Sequence, residues 1–475
     1  MVLNLLGRIR FLLGIWLGKV VAAVSRALGK GGSTLPGKLC LCVCPTALGQ
    51  LSLSLNHGRV LVTGTNGKTT TSRVLENLLK QAGYSVVHNR SGANLISGVT
   101  ASLVTASDLL GRPGADVGVF ETDEASVPGI AKQMCPSAVV VTNFFRDQLD
   151  RFGELEHTVE LVRAGVEYLA EGGALVLNAD DPLCASIGAR SSGSLRTFYY
   201  GIDPGFEGTF LRGRATCSDV FVCPLCGGKL EYSSRFFSHL GNYKCSVCGF
   251  SRPSAFCTLV KLETLGIQGS TMHIRISSGE EFAVETQLPG IYNAYNVLAG
   301  VTAACAFGLP LAVIQAGVKQ SLPSFGRMER VVADGKRIHI ALVKNPTGFN
   351  EVLRTVVEGA GPHHLMICIN DNYADGTDVS WLWDVDLEML EPRQSLIPFV
   401  VCSGIRAADM AVRLKYAGID PSRIVVEPGI KAALDMAMAK VPAGESLVVL
   451  PTYTAMLELR EVLWRRGLVR HFRED

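Results

Sequence analysis

From Arg59 onward, short and nearly continuous apolar runs alternate with longer stretches of mixed polarity. RVLVTG (59–64), YSVVHN (84–89), ADVGVFET (115–122), SAVVVTN (137–143), GALVLN (173–178) and RTFYYG (196–201) have the length and β-branched content of strands buried on both faces. Between them lie helix-like segments, among them Thr69 to about Gln81 and ELEHTVELVRAGVEYLAEG (154–172), whose apolar residues recur at helical spacing. This alternation predicts a doubly wound α/β sheet. From about 205 to 288 the rhythm breaks into a cysteine cluster and alternating segments, TMHIRIS and EEFAVET, that read as antiparallel strands. A helical pattern resumes at NAYNVLAGVTAACAFG (293–308). After about Asp334 a second α/β rhythm begins (RIHIALV, HHLMICIN, IPFVVCSG, RIVVEP, SLVVLP), so a domain boundary is expected near 330–335.

The first 50 residues follow another pattern. Arg8, Arg10, Lys19, Arg26 and Lys30 interrupt a Leu/Ile/Val/Trp background, and the longest uncharged run after Arg10, FLLGIWLG, is far short of a bilayer span. No acidic residue occurs before Glu76, whereas nine Lys or Arg do. The segment predicts a basic amphipathic helix, packed on its own domain or lying on an anionic membrane surface. No small-residue cleavage site ends the stretch, which argues against a cleaved signal peptide.

Composition narrows the class. At 475 residues the chain exceeds one hydrophobic core. With 48% apolar residues, 19% charged and 50 Gly, it reads as a Gly-rich α/β enzyme rather than a disordered chain. A net charge of +2 gives no global field for nucleic acid. Fourteen Cys, four at metal spacing and the rest scattered, fit a reducing cytosol better than a disulfide framework.

Three motifs carry chemistry. In VLVTGTNGKTTT (60–71) a buried strand runs into Gly64-Thr65-Asn66-Gly67-Lys68-Thr69 and a helix opens directly after it. Glycines let backbone N–H groups wrap a phosphate, the helix N-terminus adds positive charge, Lys68 reaches the outer phosphates, and Thr69 or Thr70 offers a hydroxyl to Mg²⁺. Val62 holds the place of the usual first glycine of such a loop, and Gly64 substitutes. Second, Cys223-Pro-Leu-Cys226 and Cys245-Ser-Val-Cys248 stand eighteen residues apart, the spacing of a closed structural Zn²⁺ site. Third, Asp371, Asp375, Asp378, Asp384, Asp386 and Glu388 crowd around Trp381 and Trp383. These acids are suited to binding metal, orienting a catalytic His, or capping turns.

The loop T-G-T-N-G-K-T-T-T resembles that of the Mur ligases, ATP-dependent ligases of peptidoglycan synthesis, and further elements follow in the family's order. Glu121 ends a strand where the family places a Mg²⁺-binding glutamate. TNFFRDQLDRFGE (142–154) is similar to the family's T-N…D-H-L-D segment, with Gln148 in place of the His. NADDP (178–182) matches a strand-end motif near the nucleotide. Asn293 and Asn296 match asparagines that approach the adenine, and Arg327 in FGRMER matches the arginine beside phosphates and ribose. The resemblance implies ATP and Mg²⁺ as cofactors and a carboxylate activated as an acyl phosphate before an amine displaces phosphate.

The cysteine knuckles, KNPTGFNEVLR (344–354) and DNYADGTDVSWLWD together resemble one branch, the MurT synthetase subunits of lipid II isoglutaminyl synthases. This branch implies a GatD-like glutamine amidotransferase as partner, lipid II as substrate, and amidation of its D-glutamate α-carboxylate to D-isoglutamine. It also implies that an aspartate of the C-terminal domain, here Asp375, Asp378 or Asp384, completes the partner's Cys–His pair. The expected organisation is a basic segment (1–50), a P-loop domain of Mur-ligase type (51–333) with a four-cysteine zinc ribbon inserted at about 217–255, and a C-terminal Rossmann-like α/β domain (334–475). About 58 residues precede the phosphate-loop strand, too few for the UDP-binding domain of amino-acid-adding relatives. The helix after the T-N segment lacks the Lys those relatives carbamylate, and Lys344-Asn-Pro replaces their Asp-containing amino-acid motif, which suits ammonia as nucleophile. No glutaminase-type nucleophilic Cys motif occurs, so glutamine hydrolysis is expected on another chain. The expected location is the cytoplasm, at the inner membrane face. The competing readings are a free-standing Mur- or folylpolyglutamate-type amino-acid ligase and a nucleotide-regulated binding protein that docks through its zinc ribbon.

Overall fold

A computed structural model of the chain describes residues 2–27, 34–89, 93–145, 155–191, 193–206, 220–321, 326–357, 359 and 361–469. The chain divides into two compact units: Met1–Lys261, Met272–Val284 and Tyr295–Ser321 form the first, and Leu262–Thr271, Glu285–Ala294 and Leu322–Asp475 the second. Part of the T-N segment, from Arg146 to Glu154 and including Gln148, lies outside the described residues, as do the side chain of Arg327 and residues 217–219.

The first unit opens with helices α1 (Val2–Ala27), α2 (Leu35–Val43) and α3 (Ala47–Ser52). Then come β1 (Gly58–Thr63), α4 (Lys68–Gln81), β2 (Val86–His88), α5 (Ile96–Ala106), β3 (Val117–Glu121), α6 (Val127–Met134), β4 (Ala138–Val141), α7 (Leu155–Val166), β5 (Ala174–Asn178), α8 (Pro182–Arg190) and β6 (Arg196–Ile202). The hairpin β7 (Leu230–Phe237) and β8 (Leu240–Cys245) stands apart as its own two-stranded sheet, before β9 (Cys257–Thr264), β10 (Ser270–Ile276), β11 (Glu281–Thr286), α9 (Ile291–Ala306) and α10 (Leu311–Lys319).

The nine-stranded sheet has the order β11-β10-β9-β6-β5-β4-β1-β3-β2. From β2 to β9 the neighbouring strands pair in parallel, with β1 between β3 and β4. Such strands are covered on both faces, so alternate residues serve opposite cores. Leu61, Phe120, Val139, Leu175 and Leu177 join one core with α3, α6 and α8, while Val60, Val62, Val119 and Val140 are buried on the other face. The phosphate-loop strand therefore lies where the strand order reverses, between β3 and β4, the place at which a doubly wound sheet gathers loops at its carboxyl edge. The basic segment of the sequence is three helices, and Phe11 and Ile15 of α1 belong to the same core as Leu61 and Phe120.

The second unit holds β12 (Arg327–Ala333), β13 (Lys336–Ala341), α11 (Pro346–Val357), β14 (His364–Cys368), β15 (Val400–Ser403), α12 (Ala407–Tyr416), β16 (Ile424–Val426), α13 (Ile430–Lys440), β17 (Ser446–Pro451) and α14 (Tyr453–Arg465). Its sheet runs β12-β13-β17-β14-β15-β16, parallel except for the antiparallel edge strand β12. Phe349 of α11 and Met410 and Leu414 of α12 pack on one face; Leu434 of α13 and Leu459 of α14 pack on the other.

Candidate active site

The loop between β1 and α4 is shaped by two glycines in the left-handed region. Gly64 (φ +119°) lies so close to the β4 end that a Cβ would sit 2.3 Å from Thr142 Oγ1 and 2.8 Å from the Asn143 carbonyl oxygen. Gly67 (φ +88°) ends the loop as the residue before α4, and a Cβ there would lie 1.9 Å from Asn296 Oδ1. Only glycine fits both conformation and space. Thr142 and Asn143 lock the loop from the neighbouring strand. Thr142 Oγ1 donates to the Asn66 carbonyl oxygen (2.7 Å), Asn143 Oδ1 accepts from the Asn66 N–H (2.9 Å), and the Thr65 N–H donates to the Asn143 carbonyl oxygen (2.8 Å). The T-N dipeptide read in the sequence is thus a brace for the phosphate loop.

Lys68 opens α4. Its Nζ donates to the Gly64 carbonyl oxygen (2.5 Å) and lies 3.3 Å from Glu124 Oε1. Thr69 Oγ1 donates to Glu121 Oε2 at 2.8 Å. Glu121 is held in turn by Asn89, whose Oδ1 accepts from the Glu121 N–H (2.9 Å) and whose Nδ2 donates to the Glu121 carbonyl oxygen (2.8 Å). One ammonium, one hydroxyl and two carboxylates therefore meet at the N-terminus of a 14-residue helix. A helix start with a glycine cradle suits a polyphosphate, and a hydroxyl paired with a carboxylate suits Mg²⁺, which takes oxygen ligands. The residues present fit ATP·Mg²⁺. Sequence reasoning missed Glu124 and Asn89. A half-buried Lys at a loop needs a counter-ion, and an acid three residues past Glu121 was the available signal for Glu124.

Asn296 stands over Gly67, and its carbonyl oxygen accepts from Thr71 Oγ1 at 3.3 Å. Asn293 is buried, and its Nδ2 donates to the Pro289 carbonyl oxygen one turn back (2.8 Å). Arg327 begins β12 opposite Ala341. Thr70 is buried in the first turn of α4.

NADDP is bonded to the strand end that braces the loop, with Asn178 Nδ2 donating to the Thr142 carbonyl oxygen (3.2 Å). Asp181 accepts from the Leu183 N–H (2.8 Å) and caps α8, while its second oxygen accepts from the Phe144 N–H (2.8 Å). Asp180, fully buried, accepts from Arg252 Nε (2.5 Å) and the Tyr295 hydroxyl (2.7 Å). Burial pushes its carboxyl up, against the pull of the Arg252 guanidinium. Both partners come from distant sequence, which no local pattern announces.

The four cysteines converge. The Sγ atoms of Cys223, Cys226, Cys245 and Cys248 all lie within 4.8 Å of one another, with Cys223–Cys248 and Cys226–Cys245 at 3.6 Å. A tetrahedral ion with Zn–S near 2.3 Å would set sulfurs about 3.8 Å apart. Gly227 and Gly249, at φ +74° and +77°, make the tight turn after each knuckle. The hairpin that carries these knuckles also reaches the site. The Gly241 N–H donates to the Asp180 carbonyl oxygen (2.9 Å), the Tyr243 hydroxyl donates to the Ala179 carbonyl oxygen (3.2 Å), and Phe237 stacks on Phe145.

In the second unit the acids after β14 separate by role. Asp375 is buried and accepts from the Thr454 N–H (2.7 Å) and hydroxyl (2.5 Å), capping the first turn of α14. Asp371 pairs with Arg406 at 2.7 Å. Asp378 is exposed and accepts from the Ser380 N–H (2.8 Å), which holds its carboxyl below the usual range; Asp384 is exposed too. Trp383, next to Asp384 in the chain, and Tyr416 expose their rings, 5.9 Å apart, and the Arg413 guanidinium lies over that of Trp383.

Two family descriptions match the chain: Mur ligase middle domain over residues 62–239 and MurT ligase C-terminal over residues 342–456. The subunit MurT of the glutamine-hydrolysing lipid II isoglutaminyl synthase of Streptococcus pneumoniae is 34% identical over 458 residues, spanning 96% of this chain and 98% of that one. Among solved structures, MurF from Acinetobacter baumannii superposes with a TM-score of 0.65 at 16% identity, covering 92% of this chain and 80% of that one. MurF from Thermotoga maritima in complex with ADP gives 0.60 at 14% identity, with 88% and 82% covered. At these identities the two structures establish a shared fold.

Proposed function

The chain belongs to the MurT family of Mur-ligase-like synthetase subunits, and on that premise we propose that it amidates the D-glutamate α-carboxylate of lipid II in peptidoglycan synthesis. The nitrogen is ammonia, released from glutamine by a GatD-like amidotransferase with which the chain forms a heterodimer. The observation that carries the reading is the pairing of Thr69 with Glu121 and of Lys68 with Glu124 at the glycine loop.

In this reading residues 51–333 are the ATP-binding domain, 334–475 the C-terminal domain, and Gly64–Thr70 and Asn296 hold the nucleotide. When bound, ATP·Mg²⁺ supplies the phosphoryl group and the charge that neutralises it. A carboxylate oxygen of the substrate attacks the γ-phosphorus and ADP leaves; ammonia then attacks the acyl carbon, phosphate leaves and a proton is released. Lys68 stabilises negative charge as it builds on the transferring phosphoryl, and Glu124 keeps the ammonium oriented while the loop is empty. Thr69 and Glu121 hold Mg²⁺. Lys344-Asn345-Pro346 offers no carboxylate to grip the ammonium of an amino acid, which supports ammonia as nucleophile.

Cys223, Cys226, Cys245 and Cys248 bind a structural Zn²⁺. With four thiolates the site has no open position, so the ribbon, about 217–255, braces NADDP rather than reacting. Asp378 and Asp384 are exposed, which suits them better than the buried, capped Asp375 to complete the partner's Cys–His pair. The enzyme works in the cytoplasm at the inner membrane face, where its lipid-borne acceptor resides. The test is purification with and without a co-expressed GatD-like subunit, followed by mass spectrometry of lipid II after incubation with ATP and glutamine. Exchange of the carboxyl OH for NH₂ only with both chains supports the reading. ATP-dependent addition of an amino acid without the partner would instead favour a free-standing ligase.

A further inference from the structure

Helix α1 has two apolar faces, and among the described residues only one is packed. Phe11, Ile15, Gly18 and Ala22 recur every three or four residues and are buried; a Cβ at Gly18 would meet Val104 Cγ1 at 2.8 Å and the Pro36 carbonyl oxygen at 3.1 Å. At about 100° per residue, Leu5, Ile9, Leu13, Trp16, Val20 and Val24 fall on the opposite side. They are exposed, Leu5 by 62% and Val20 by 60%. Between the two faces, Arg8, Lys19 and Arg26 project along one flank and Arg10 along the other.

The exposed face extends beyond the helix. Trp16 Nε1 donates to the Leu109 carbonyl oxygen (2.9 Å), and Lys19 Nζ to that of Ser107. Asp108 accepts from the Leu110 and Arg112 N–H groups (2.9 and 2.8 Å), fixing a turn that presents Leu109 (67% exposed) and Leu110 beside Trp16. Asp108 is the acid of this turn, and its oxygen is committed to the turn's own backbone. A solvated helix would carry polar residues on this face, and exposed apolar ridges of this length mark interaction surfaces.

We propose that this face, α1 with the turn at 107–113, docks the protein in the plane of an anionic phospholipid surface. An apolar ridge flanked by cations, with a Trp at its edge, buries its ridge at the acyl boundary while the Arg heads reach lipid phosphates. The absence of any acidic residue before Glu76 gives the segment the complementary charge. Among the described residues no helix is long and apolar enough to cross a membrane, so contact is peripheral. The inference deepens the lipid-borne acceptor of the preceding reading, but its test uses neither acceptor nor ATP.

The full chain is sedimented with vesicles of phosphatidylcholine alone and of phosphatidylcholine with phosphatidylglycerol. Partition onto the anionic vesicles should be at least about tenfold stronger and should fall with salt. I9D/V20D should lower it about tenfold or more, and R8E/R10E should abolish the anionic preference. Both changes lie at exposed positions, so unchanged thermal melting certifies the fold, and V332D in the second unit should bind as the parent does. Failure to sediment with anionic vesicles, or equal retention of I9D/V20D, would overturn the proposal. So would a concentration-dependent dimer that the same double variant dissociates, which would assign the face to a second copy of the chain. Amidation failing while vesicle binding persists would refute the functional reading and leave the docking surface standing.

Discussion

Replacing Gly67 by alanine should damage the phosphate loop in two separable ways. Gly67 sits at φ +88°, where an L side chain costs about 1–2 kcal/mol. Its new Cβ would lie 1.9 Å from Asn296 Oδ1, so the buried Asn296 amide must move. Leaving such a group without partners costs about 1–3 kcal/mol. Together these destabilise the first unit by about 2–5 kcal/mol, a fall in Tm of about 4–10 °C for a unit of this size. If the loop flips to escape the strain, stability recovers, but the N–H groups no longer face the phosphates and ATP affinity falls at least about tenfold. Differential scanning fluorimetry with and without ATP·Mg²⁺, backed by titration calorimetry, reads both terms. Combining G67A with N296A separates them, because the double variant relieves the clash but keeps the backbone strain, and its Tm should lie above that of G67A. A G67A protein with parental Tm and parental ATP affinity would refute this account of the loop.

Asp375→Ala should cost about 1 kcal/mol through loss of the cap on α14, seen in thermal melting, and should lower ammonia- and glutamine-dependent rates alike. Asp378→Ala or Asp384→Ala should leave ammonia-dependent turnover intact, and at least one of them should abolish the glutamine-dependent reaction. Burial raises the Glu351 carboxyl to about 7, with Arg354 3.0 Å away pulling less strongly in the other direction. Its stability contribution is therefore full below the ordinary carboxylate pKa and is lost as pH rises through about 7; Glu351→Gln should raise the second unit's Tm more at about pH 8 than at about pH 5.5, and no difference would contradict the assignment. Metal analysis should find one Zn²⁺ per chain, and Cys245→Ser should release it, loosening hydrogen–deuterium protection at Ala179–Asp181, which the hairpin clasps.

How far the sequence reached depended on how local each signal was. The strand–loop–helix at Gly64–Thr70 is contiguous, and so are the apolar runs that became β1, β3, β4 and β5; their residues find partners within one motif or one strand spacing. The Cys knuckles were legible for the same reason. Asn89, Arg252 and Tyr295 were not, since each acts through a contact across the fold, and Glu124 had only its place three residues past Glu121 to mark it. Arg252 and Tyr295 reach Asp180 from 72 and 115 residues away. The acids at 371–388 look alike in sequence, and only Thr454, 79 residues on, distinguishes Asp375 as a cap. For α1 the sequence left packing on its own domain and membrane contact as alternatives. The fold answers the first with a buried stripe and leaves a second apolar stripe exposed, because a helix that is apolar on opposite sides has no single direction for a pattern to reveal.

The central claim is that Lys68 and its loop drive amidation of a lipid-borne carboxylate with nitrogen taken from glutamine on another chain. The most direct measurement follows amide nitrogen from ¹⁵N-amide glutamine into lipid II by mass spectrometry, using this chain with its glutaminase partner, ATP and Mg²⁺. The account predicts label in the stem-peptide amide, lost when either chain is omitted or when Lys68 is replaced by alanine. Unlabelled product, labelling that survives Lys68→Ala, or ATP-dependent transfer of a whole amino acid would contradict it.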